Sequence, residues 1–494
     1  MPNNAAAIFS TTQIRQIEQL AYAEDKLTEY QLMQRAGNAA YQALKKQWPN
    51  AQNITVFCGH GNNGGDGYVL ANLAAQDNKN VKVILIGDHN NLKNPALTAK
   101  QDCAKTAAEF IPYSDAIQLT ADVVVDAIFG IGLNSTVEGV HLNAIKMINN
   151  SHIPVLAIDI PSGLHADKGI PQGIAVHAQL TITLLGLKLG LFSGEGPAYS
   201  GLIQLDDLAI SPKIIANIPA IAQCLDQQLI KHYLLPRQRD AHKGHFGHVL
   251  IMGGDYGFPG AAHMAAEAAA RVGAGLVSVA TRPEHIAIIS ATRPEIMCHG
   301  IHEMHELTKL IERATVIVIG PGLGRSTWSE QLFKIAVAAN KPMVIDADGL
   351  YWLGDYHLAN QNWILTPHPG EAANLLNTTA MAIQSDRLAS ATLLQQQFGG
   401  VVILKGAGTL ICDNQYVPSV CPYGNPGMAS GGMGDILSGV IGGLLAQHYS
   451  AENAAKLGVL IHALAGDAAA KENGERGLLA MDLMPFIHKL VNSE

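Results

Sequence analysis

The stretch Ile54–Gly67, ITVFCGHGNNGGDG, predicts how the first half of this chain folds. A run of β-branched and aromatic residues passes directly into a glycine-rich turn, and the residues that follow predict a helix over 67–75. Gly59, Gly61 and Gly64 match the pattern G-x-G-x-x-G, which aims backbone N–H groups at a ligand from a helix N-terminus. The stretch therefore predicts a strand, a ligand loop and a helix of an α/β domain.

Read alone, the glycine pattern favours a dinucleotide-binding dehydrogenase, and Asp88 lies where such domains place a ribose-binding acid. Asn62, Asn63 and Asp66 count against that interpretation. A carboxylate at the helix N-terminus is stabilised by the helix dipole, but it would repel a phosphate bound to the same amides. A cation or hydrogen bonds to ligand hydroxyls explain these residues better, while simple capping of the helix stays an alternative.

Strands and helices alternate through the rest of the first half. Such alternation predicts a parallel sheet that is covered by helices on both faces. The predicted strands are Ile54–Cys58, Val81–Ile86, Val123–Ile128, Val155–Ile160 and Leu180–Leu185, and the predicted helices include Thr11–Trp48 and Ala96–Phe110.

A second α/β series begins after Ile210–Leu225, a segment with two prolines that interrupts the alternation and is the candidate linker. The two halves share no motif, so the chain is predicted to hold two unrelated domains, 1–215 and 225–494. The predicted strands of the second half are His248–Met252, Gly275–Ala280, Val316–Gly320, Pro342–Asp346, Trp363–Thr366, Gly400–Lys405 and Thr409–Cys412.

Composition limits the function classes. The 494 residues are 48% hydrophobic and 15% charged, which is typical of folded domains, and the 49 glycines exceed the usual share. The formal net charge is −9 and there is no basic stripe, which excludes nucleic acid as a partner. The six cysteines form no CxxC pair, which fits a reducing cytosol, and no apolar run reaches the ~18 residues of a membrane span. We expect a cytoplasmic protein that does not contact membranes.

Two further strands of the first half end in acids. VVVDAIFGIGL contains Asp126, and VLAIDIPSGLHAD contains Asp159 and Ser162. Ligands bind beyond the carboxyl ends of the strands in open parallel sheets. Asn63, Asp126 and Ser162 all lie at such ends, and oxygen ligands of this kind suit a hard cation. Capping of the following turns is the alternative function of each acid.

In the second half, several strand ends gather glycines and polar residues, including the segments GPGLG, DADGL and TPHPGE. The segment KGAGT places Lys405 beside backbone N–H groups, a combination that suits phosphate. A solvated lysine at a strand end is the alternative for that residue. The segment GNPGMASGGMGD ends at Asp435, and consecutive glycines at a helix N-terminus can hold a transferring phosphoryl group. Asp435 could then take a proton from a substrate hydroxyl that attacks phosphorus, although a helix cap also explains a single Asp.

GHGNNGGDGYVLA, DAIFGIGL and DIPSGLHAD together resemble the epimerase domain of the NAD(P)H-hydrate repair enzymes. The resemblance implies R/S epimerisation of hydrated NADH or NADPH beside a bound potassium ion. Asp159 is the candidate acid/base, because epimerisation requires proton transfer. The implied potassium ligands are Asn63, Asp126 and Ser162, and the implied hydrate contacts are Asn62, Asn63, Gly64, Gly65, Asp66, Gly130, Ile131, Gly132, Leu133, Asn134, Ser135, Thr136 and Asp159.

KGHFGHVLIMGG, GPGLG, DADGL, TPHPGE, KGAGT and GNPGMASGGMGD resemble the ADP-dependent NAD(P)H-hydrate dehydratases, which have a ribokinase-like fold. The resemblance implies that the S hydrate loses water at the expense of ADP, giving AMP and phosphate, with Mg²⁺ present and Asp435 as the catalytic base. The implied hydrate contacts are Ala262, Gly322, His368 and Asp435, and the implied adenine-nucleotide contacts are Lys405, Gly406, Ala407, Gly408, Thr409 and Gly434.

The chain is thus predicted to be an α/β protein with an N-terminal Rossmann-like three-layer domain followed by a C-terminal ribokinase-like domain. Its predicted function is bifunctional repair of hydrated NADH and NADPH, with K⁺, Mg²⁺ and ADP, small-molecule substrates and a homo-oligomeric assembly. A ribokinase-like small-molecule kinase with an N-terminal regulatory nucleotide-binding domain is the alternative. A first half that acts only as a non-catalytic binding module is a third interpretation.

Overall fold

A computed structural model describes residues 6–492, and its chain divides into two compact units. One unit is Ala7–Ala222, and the second is formed by the residues from Gln223 onward. The division falls within a short strand, Ala222–Cys224, inside the segment predicted as the linker. Between residues 6 and 492, no helix combines the length and the apolar character that crossing a bilayer requires.

The N-terminal unit is built on a seven-stranded, fully parallel sheet in the order β4-β3-β2-β5-β6-β7-β8. Val56 and Phe57, consecutive residues of an inner strand of this sheet, belong to different buried clusters, so both faces of the sheet are covered. This confirms the predicted Rossmann-like arrangement. The elements of the unit are β1 (Ala6–Ile8), α1 (Thr11–Glu24), α2 (Glu29–Gln47), β2 (Asn53–Cys58), α3 (Asn62–Gln76), β3 (Asn80–Leu85), α4 (Ala96–Cys103), β4 (Glu109–Pro112), β5 (Val123–Ala127), α5 (Gly139–Asn150), β6 (Val155–Ile158), β7 (Leu180–Leu184), α6 (Gly196–Ser200), β8 (Leu202–Asp206) and α7 (Pro212–Ala216).

The second unit contains strands β9 to β18, which lie in the order β9-β18-β17-β16-β15-β14-β13-β10-β11-β12. All neighbours in it are parallel, except that β17 pairs antiparallel with both β16 and β18. Its elements are β9 (Ala222–Cys224), α8 (Gln228–Tyr233), β10 (His248–Met252), α9 (Pro259–Arg271), β11 (Leu276–Thr281), α10 (Ile286–Thr292), β12 (Met297–Gly300), α11 (Met304–Arg313), β13 (Val316–Ile319), α12 (Thr327–Ala338), β14 (Met343–Ile345), α13 (Asp348–Tyr356), β15 (Trp363–Leu365), α14 (Pro369–Leu375), α15 (Ala380–Ser385), α16 (Arg387–Phe398), β16 (Val401–Leu404), β17 (Thr409–Cys412), β18 (Ser419–Cys421), α17 (Met433–Ala446), α18 (Ala451–Asn473) and α19 (Met484–Leu490).

Helix α17 lies in the core of this unit, and every residue of its second half is buried. Its glycines allow that position: a Cβ at Gly439 would lie 2.1 Å from the carbonyl oxygen of Ala265 in α9. The close approach of α9 and α17 therefore depends on the missing side chain. It fixes the N-terminal end of α17 at the carboxyl end of the sheet.

Two of the predicted helices were wrong in extent. The predicted helix Ala96–Phe110 ends at Cys103, and Glu109–Pro112 forms the edge strand β4. The short edge strand tolerates a proline and gives little hydrophobic periodicity. The predicted helix Thr11–Trp48 is two helices, separated where Lys26 adopts a left-handed φ of +53° and Thr28 caps α2.

Candidate active sites

A cavity of about 490 Å³ opens in the N-terminal unit beyond the carboxyl ends of β2, β5 and β6. Its volume lies in the range of small-molecule sites, roughly 300–1,000 Å³. The loop after β2, the loop 128–135 after β5 and Asp159 after β6 form its walls, together with one face of α1. The cavity thus lies where a parallel sheet presents its ligand site.

The glycines of the loop after β2 allow two of these walls to pack closely against each other. A Cβ at Gly59 would lie 2.1 Å from the carbonyl oxygen of Ile128. A Cβ at Gly64 would lie 2.0 Å from the carbonyl oxygen of Gly59. Since side chains at these positions would push the loops apart, the G-x-G-x-x-G pattern here brings the loop after β2 against the loop after β5.

Asp159 occupies a left-handed backbone conformation with φ +69°, which is strained for a residue other than glycine and is frequent at functional sites. Lys188, which is fully buried, donates to its Oδ1 at 2.5 Å. The same ammonium donates to Thr183 Oγ1 at 3.0 Å and to the carbonyl oxygen of Leu184 at 2.6 Å. The other oxygen, Oδ2, faces Gly130, where a Cβ would lie 3.6 Å from it. One oxygen of Asp159 is therefore held by an ion pair, and the second faces the cavity wall.

The three predicted potassium ligands lie near this wall: Asn63 lines the cavity, and Asp126 and Ser162 are fully buried. Ser162 donates to the two oxygens of Asp126, from its amide at 2.7 Å and from its hydroxyl at 2.5 Å. The Ser162 hydroxyl also accepts from the amide of Phe129 at 2.8 Å. Burial raises the pKa of Asp126 to about 6, and its hydrogen-bond donors are all neutral. Asn63 lies beside Gly130, and within residues 6–492 its buried amide oxygen and nitrogen have no hydrogen-bond partner.

Ionisable residues that the sequence interpretation missed complete the cavity. Arg15, Glu18 and Tyr22 line it from α1, and Lys188 lies beneath Asp159. The spacing of three and then four residues puts the α1 side chains on one helix face, which is a signal the sequence already contains. Burial, followed by the charge of Asp159, raises the pKa of Glu18.

Most of the predicted hydrate contacts of the first half are brought together. Gly64 and Gly65 are buried below the surface, and Thr136 packs against Gly173 instead of lining the cavity. Asp88 accepts a hydrogen bond from the Asn90 amide at 2.8 Å. Its carboxylate therefore stabilises the turn in which it lies, and this bond does not support a role in ribose binding. The predicted contacts that line the cavity are Asn62, Asn63, Asp66, Gly130, Ile131, Gly132, Leu133, Asn134, Ser135 and Asp159.

In the second unit, the glycine-rich segment ends at the N-terminus of α17, and Gly432 there has a φ of +91°. A Cβ at Gly434 would lie 3.3 Å from the Lys405 ammonium and 3.6 Å from Asp346 Oδ2. Burial is the main cause that raises the pKa of Asp435 to about 7, with the charge of Asp346 next. A carboxyl group of this kind is suited to accept a proton near neutral pH.

A solvated lysine at a strand end was the alternative interpretation of Lys405, and the structure shows an ion-paired lysine instead. Its ammonium donates to Asp346 Oδ1 at 2.8 Å and lies 3.7 Å from Glu371 Oε2. Asp346 also accepts from Thr366 and from Ser438, each at 2.7 Å. The side chain of Lys405 is 19% exposed, so the end of this buried chain of polar groups remains open to a ligand.

The other predicted contacts of the second half are positioned by tight backbone turns. Gly322 has a φ of +57°, and a Cβ there would lie 2.7 Å from the carbonyl oxygen of Phe258. Ala262, in α9, is fully buried, so its side chain does not reach the surface of the site. The His368 Nδ1 accepts from the amides of Gly370 and Glu371 and thereby caps α14.

The predicted nucleotide segment forms a tight turn between the antiparallel strands β16 and β17. Gly406 and Gly408 both have positive φ, at +133° and +64°. Ala407 is exposed at the tip, and the Thr409 hydroxyl donates to the Gly406 carbonyl oxygen at 3.0 Å. The guanidinium of Arg387 donates to the carbonyl oxygen of Lys405 at 3.2 Å. These bonds hold the turn in one conformation beside the Lys405 ammonium.

Comparison with known proteins adds the family. Residues 29–190 match the family described as YjeF-related protein N-terminus, and residues 249–489 match the family described as NAD(P)H-hydrate dehydratase. A bifunctional NAD(P)H-hydrate repair enzyme of Coxiella burnetii is 48% identical, over 98% of this chain and 99% of its own length. The enzyme of that name from Escherichia coli is 41% identical, over 95% of this chain and 90% of its own.

The second unit also resembles solved structures. A ribokinase-like superfamily protein of Enterococcus faecalis is 30% identical with a TM-score of 0.51, covering 54% of this chain and 94% of its own. The ribokinase-like fold predicted for this half is thereby confirmed. Relatives that match almost the whole chain are named bifunctional NAD(P)H-hydrate repair enzymes. The chain therefore belongs to the family of bifunctional NAD(P)H-hydrate repair enzymes.

Proposed function

We propose that this chain interconverts the R and S forms of hydrated NADH and NADPH and dehydrates the S form to NAD(P)H, converting ADP to AMP and phosphate. The observation that carries the proposal is the cluster of Asp435, Lys405 and Asp346 at the glycine-rich N-terminus of α17, in which Asp346 is buried and the other two are half-buried. It combines a base that accepts protons near neutral pH with a site for phosphate. The cavity of the N-terminal unit supplies a second, separate acid/base site.

Epimerisation is proposed for the cavity lined by Asn62, Asn63, Asp66, residues 130–135 and Asp159. Asp159 is the proposed acid/base, because its Oδ2 faces the Gly130 wall while Lys188 holds Oδ1. The exposed glycine and asparagine backbone of the loops can hydrogen-bond the hydroxyl and carboxamide of the hydrated ring. Gly64, Gly65 and Thr136 remain proposed contacts of the same loops.

Potassium is proposed at Asn63, Asp126 and Ser162. Two observations fit a monovalent cation: a buried carboxylate whose donors are neutral, and a buried amide oxygen that has no partner among the described residues. The ion would neutralise the charge of Asp126 and would be coordinated by the Asn63 amide oxygen. Its effect would be electrostatic, and it would hold the loops after β2 and β5 together. The chain itself orients the ring between these loops.

Dehydration is proposed to begin when Asp435 removes the proton of the C6 hydroxyl of the S hydrate. The oxygen then attacks the β-phosphorus of ADP, forming the O–P bond and releasing AMP. The N1 lone pair expels phosphate from C6, and loss of a proton from C5 restores the dihydronicotinamide. Lys405, Gly406, Ala407, Gly408, Thr409 and Gly434 are the proposed nucleotide contacts, with Ala262, Gly322 and His368 near the hydrate.

Magnesium is proposed to accompany ADP. The site contains three carboxylates, Asp346, Glu371 and Asp435, against the single ammonium of Lys405. The ammonium already pairs with Asp346, and the pKa of Glu371 is raised by burial. A divalent ion held by Glu371 and the nucleotide phosphates would balance that charge, and it would supply charge neutralisation for phosphoryl transfer.

We further propose that the epimerase domain is 1–215 and the dehydratase domain 225–494, and that the chain forms a homo-oligomer in the cytoplasm. The boundary is supported by the division of the chain at residue 222. The edge strand β8 exposes Leu202 and Leu205, an apolar edge of the kind that subunits cover. The six free cysteines suit a reducing compartment.

One assay tests both activities. The protein is incubated with an R/S mixture of hydrated NADPH and excess ADP, and the absorbance of the restored NADPH is followed. Complete conversion supports both activities. Conversion that stops at the S fraction retains the dehydratase and rejects the epimerase. No conversion, with ATP consumed on another alcohol, would replace the proposal with a small-molecule kinase.

A further inference from the structure

The proposed epimerase cavity contains further acid/base groups besides Asp159. Glu18 and Asp66 line it together with Asp159, on α1, α3 and the turn after β6, whereas Glu29, which also lines it, is exposed at the start of α2. Inverting a carbon that carries a hydroxyl needs proton transfer at two positions, because one oxygen leaves from one face and another arrives at the opposite face. The relevant question is which second carboxyl group acts with Asp159.

The charged surroundings separate the two candidates. The pKa of Asp66 is raised well above its usual range by burial and by the charges of Asp159 and Glu18. The pKa of Glu18 is also raised by burial and Asp159, but Lys188 and Arg15 act in the opposite direction. Glu18 can therefore hold a proton and still form a stable carboxylate after donating it, whereas the surroundings of Asp66 oppose its anion.

Every element around the cavity contributes to that balance. The ionisable groups that face it are Arg15, Glu18 and Tyr22 from α1, Glu29 from α2, His60 from the loop after β2, Asp66 from α3 and Asp159 from the turn after β6, with Lys188 beneath Asp159.

We propose that Glu18 is a second catalytic residue of the epimerase site and exchanges protons with the hydrated ring while Asp159 acts as its counterpart. This inference rests on the proposed epimerase function. It assigns Glu18 and Asp159 to opposite faces of the ring, because the two side chains come from different walls of the cavity, α1 and the turn after β6.

The chemical step balances without a redox partner. Glu18 donates its proton to the C6 hydroxyl, the C6–O bond breaks, water leaves, and the N1 lone pair forms a C6=N1 iminium bond. Water then adds to the opposite face of C6, its proton passes to Asp159 Oδ2, and the electron pair returns to N1. One water leaves and one enters, and one proton moves from Glu18 to Asp159. The reverse reaction exchanges the two roles, and solvent restores the starting protonation.

The experiment compares the full-length protein with three variants, Glu18→Gln, Glu18→Asp and Glu24→Gln. Glu24 is an exposed residue of the same helix and is the matched control. Epimerisation from purified R hydrate is measured without ADP, in water enriched in ¹⁸O, by chromatographic separation of the epimers and mass spectrometry. The dehydratase rate with S hydrate and ADP, on the same chain, reports whether each variant is folded.

We expect Glu18→Gln to lower the epimerase kcat by roughly 10²- to 10⁴-fold with little change in KM, the usual contribution of a general acid. Glu18→Asp should restore part of the rate, Glu24→Gln should behave as the wild type, and each epimerisation should take up one solvent oxygen. An unchanged kcat in Glu18→Gln, a loss confined to KM, or epimerisation without ¹⁸O uptake would overturn the proposal.

Two outcomes distinguish a failure of the epimerase function from a failure of the role proposed for Glu18. A wild-type protein that dehydrates the S hydrate but never converts R to S rejects the epimerase function itself, not the role of Glu18. If Glu18→Gln also lowers the dehydratase rate, the Glu18→Asp variant decides. Recovery of at least about a tenth of the epimerase rate supports a proton-carrying group, and no recovery rejects it.

Discussion

The Lys188–Asp159 pair offers the sharpest test of how the epimerase cavity is built, through the substitution Lys188→Met. The side chain of Lys188 is fully buried, and its ammonium donates three hydrogen bonds, the shortest to Asp159 at 2.5 Å. Methionine fills a similar volume but leaves Asp159, Thr183 Oγ1 and the Leu184 carbonyl without that donor. Breaking a buried ion pair from one side costs about 3–5 kcal/mol, so we expect the N-terminal unit to lose stability by that amount.

The measurement is native-state hydrogen exchange followed by mass spectrometry. A loss of about 3–5 kcal/mol lowers amide protection in β7, Leu180–Leu184, by roughly 10²- to 10³-fold or more. Amides of β13 and β14 in the second unit provide the internal reference and should not change. The epimerase rate should fall with the protection, while the dehydratase rate on the S hydrate stays at the wild-type level.

The double variant Lys188→Met/Asp159→Asn separates the ion pair from simple packing. Replacing both charged partners by neutral groups of similar size removes the uncompensated charge, so protection should return to within about 1–2 kcal/mol of the wild type. Epimerase activity should stay lost, because Asp159 is the proposed acid/base. Equal protection in the single and double variants, or an unchanged single variant, would refute the reasoning.

Three further predictions concern the other proposed sites. Asp435→Asn should lower the dehydratase rate by roughly 10²- to 10⁴-fold and leave epimerisation intact. Burial raises the pKa of Asp435 to about 7, and only its ionised form accepts a proton. The wild-type dehydratase rate should therefore rise with pH up to about 7 and then level off. A flat profile from about pH 6 to about pH 8 would contradict the role of Asp435 as the base. Potassium should stabilise the N-terminal unit against unfolding relative to choline, by about 2.7 kcal/mol at a concentration 100-fold above its Kd, and thereby raise its melting temperature. Asn63→Leu should abolish the difference, and equal melting of the wild type in both salts would reject the ion site.

Much of the fold follows from local pattern. Strands that are buried on both faces of a sheet have continuous apolar sequences. The bounds of β2, β5 and β10 were therefore predicted within a residue or two. The edge strand β4 and the strands β8, β9, β12 and β18 escaped prediction. They are three to five residues long, and such short strands leave little periodicity to detect.

The loops that carry the candidate sites were also predictable, because glycine turns and acids at strand ends are properties of adjacent residues. Asn63, Asp126 and Ser162 were grouped from their strand-end positions, and the structure places Asp126 and Ser162 in direct contact. Pairs of distant residues were not predictable. Lys405 and Asp346 are separated by 59 positions, so no local pattern shows that the lysine is buried among acids.

The sequence by itself therefore determined the α/β class, the two-part organisation and the strand-end loops that form the proposed sites. Only the tertiary structure decided which charges meet in those loops. Lys188 lies under Asp159 from 29 positions away, and α1 brings Glu18 and Arg15 to the same cavity. The physical reason is that a strand or turn is specified by neighbouring residues, whereas the charge state of a buried carboxyl group depends on all groups that folding packs around it.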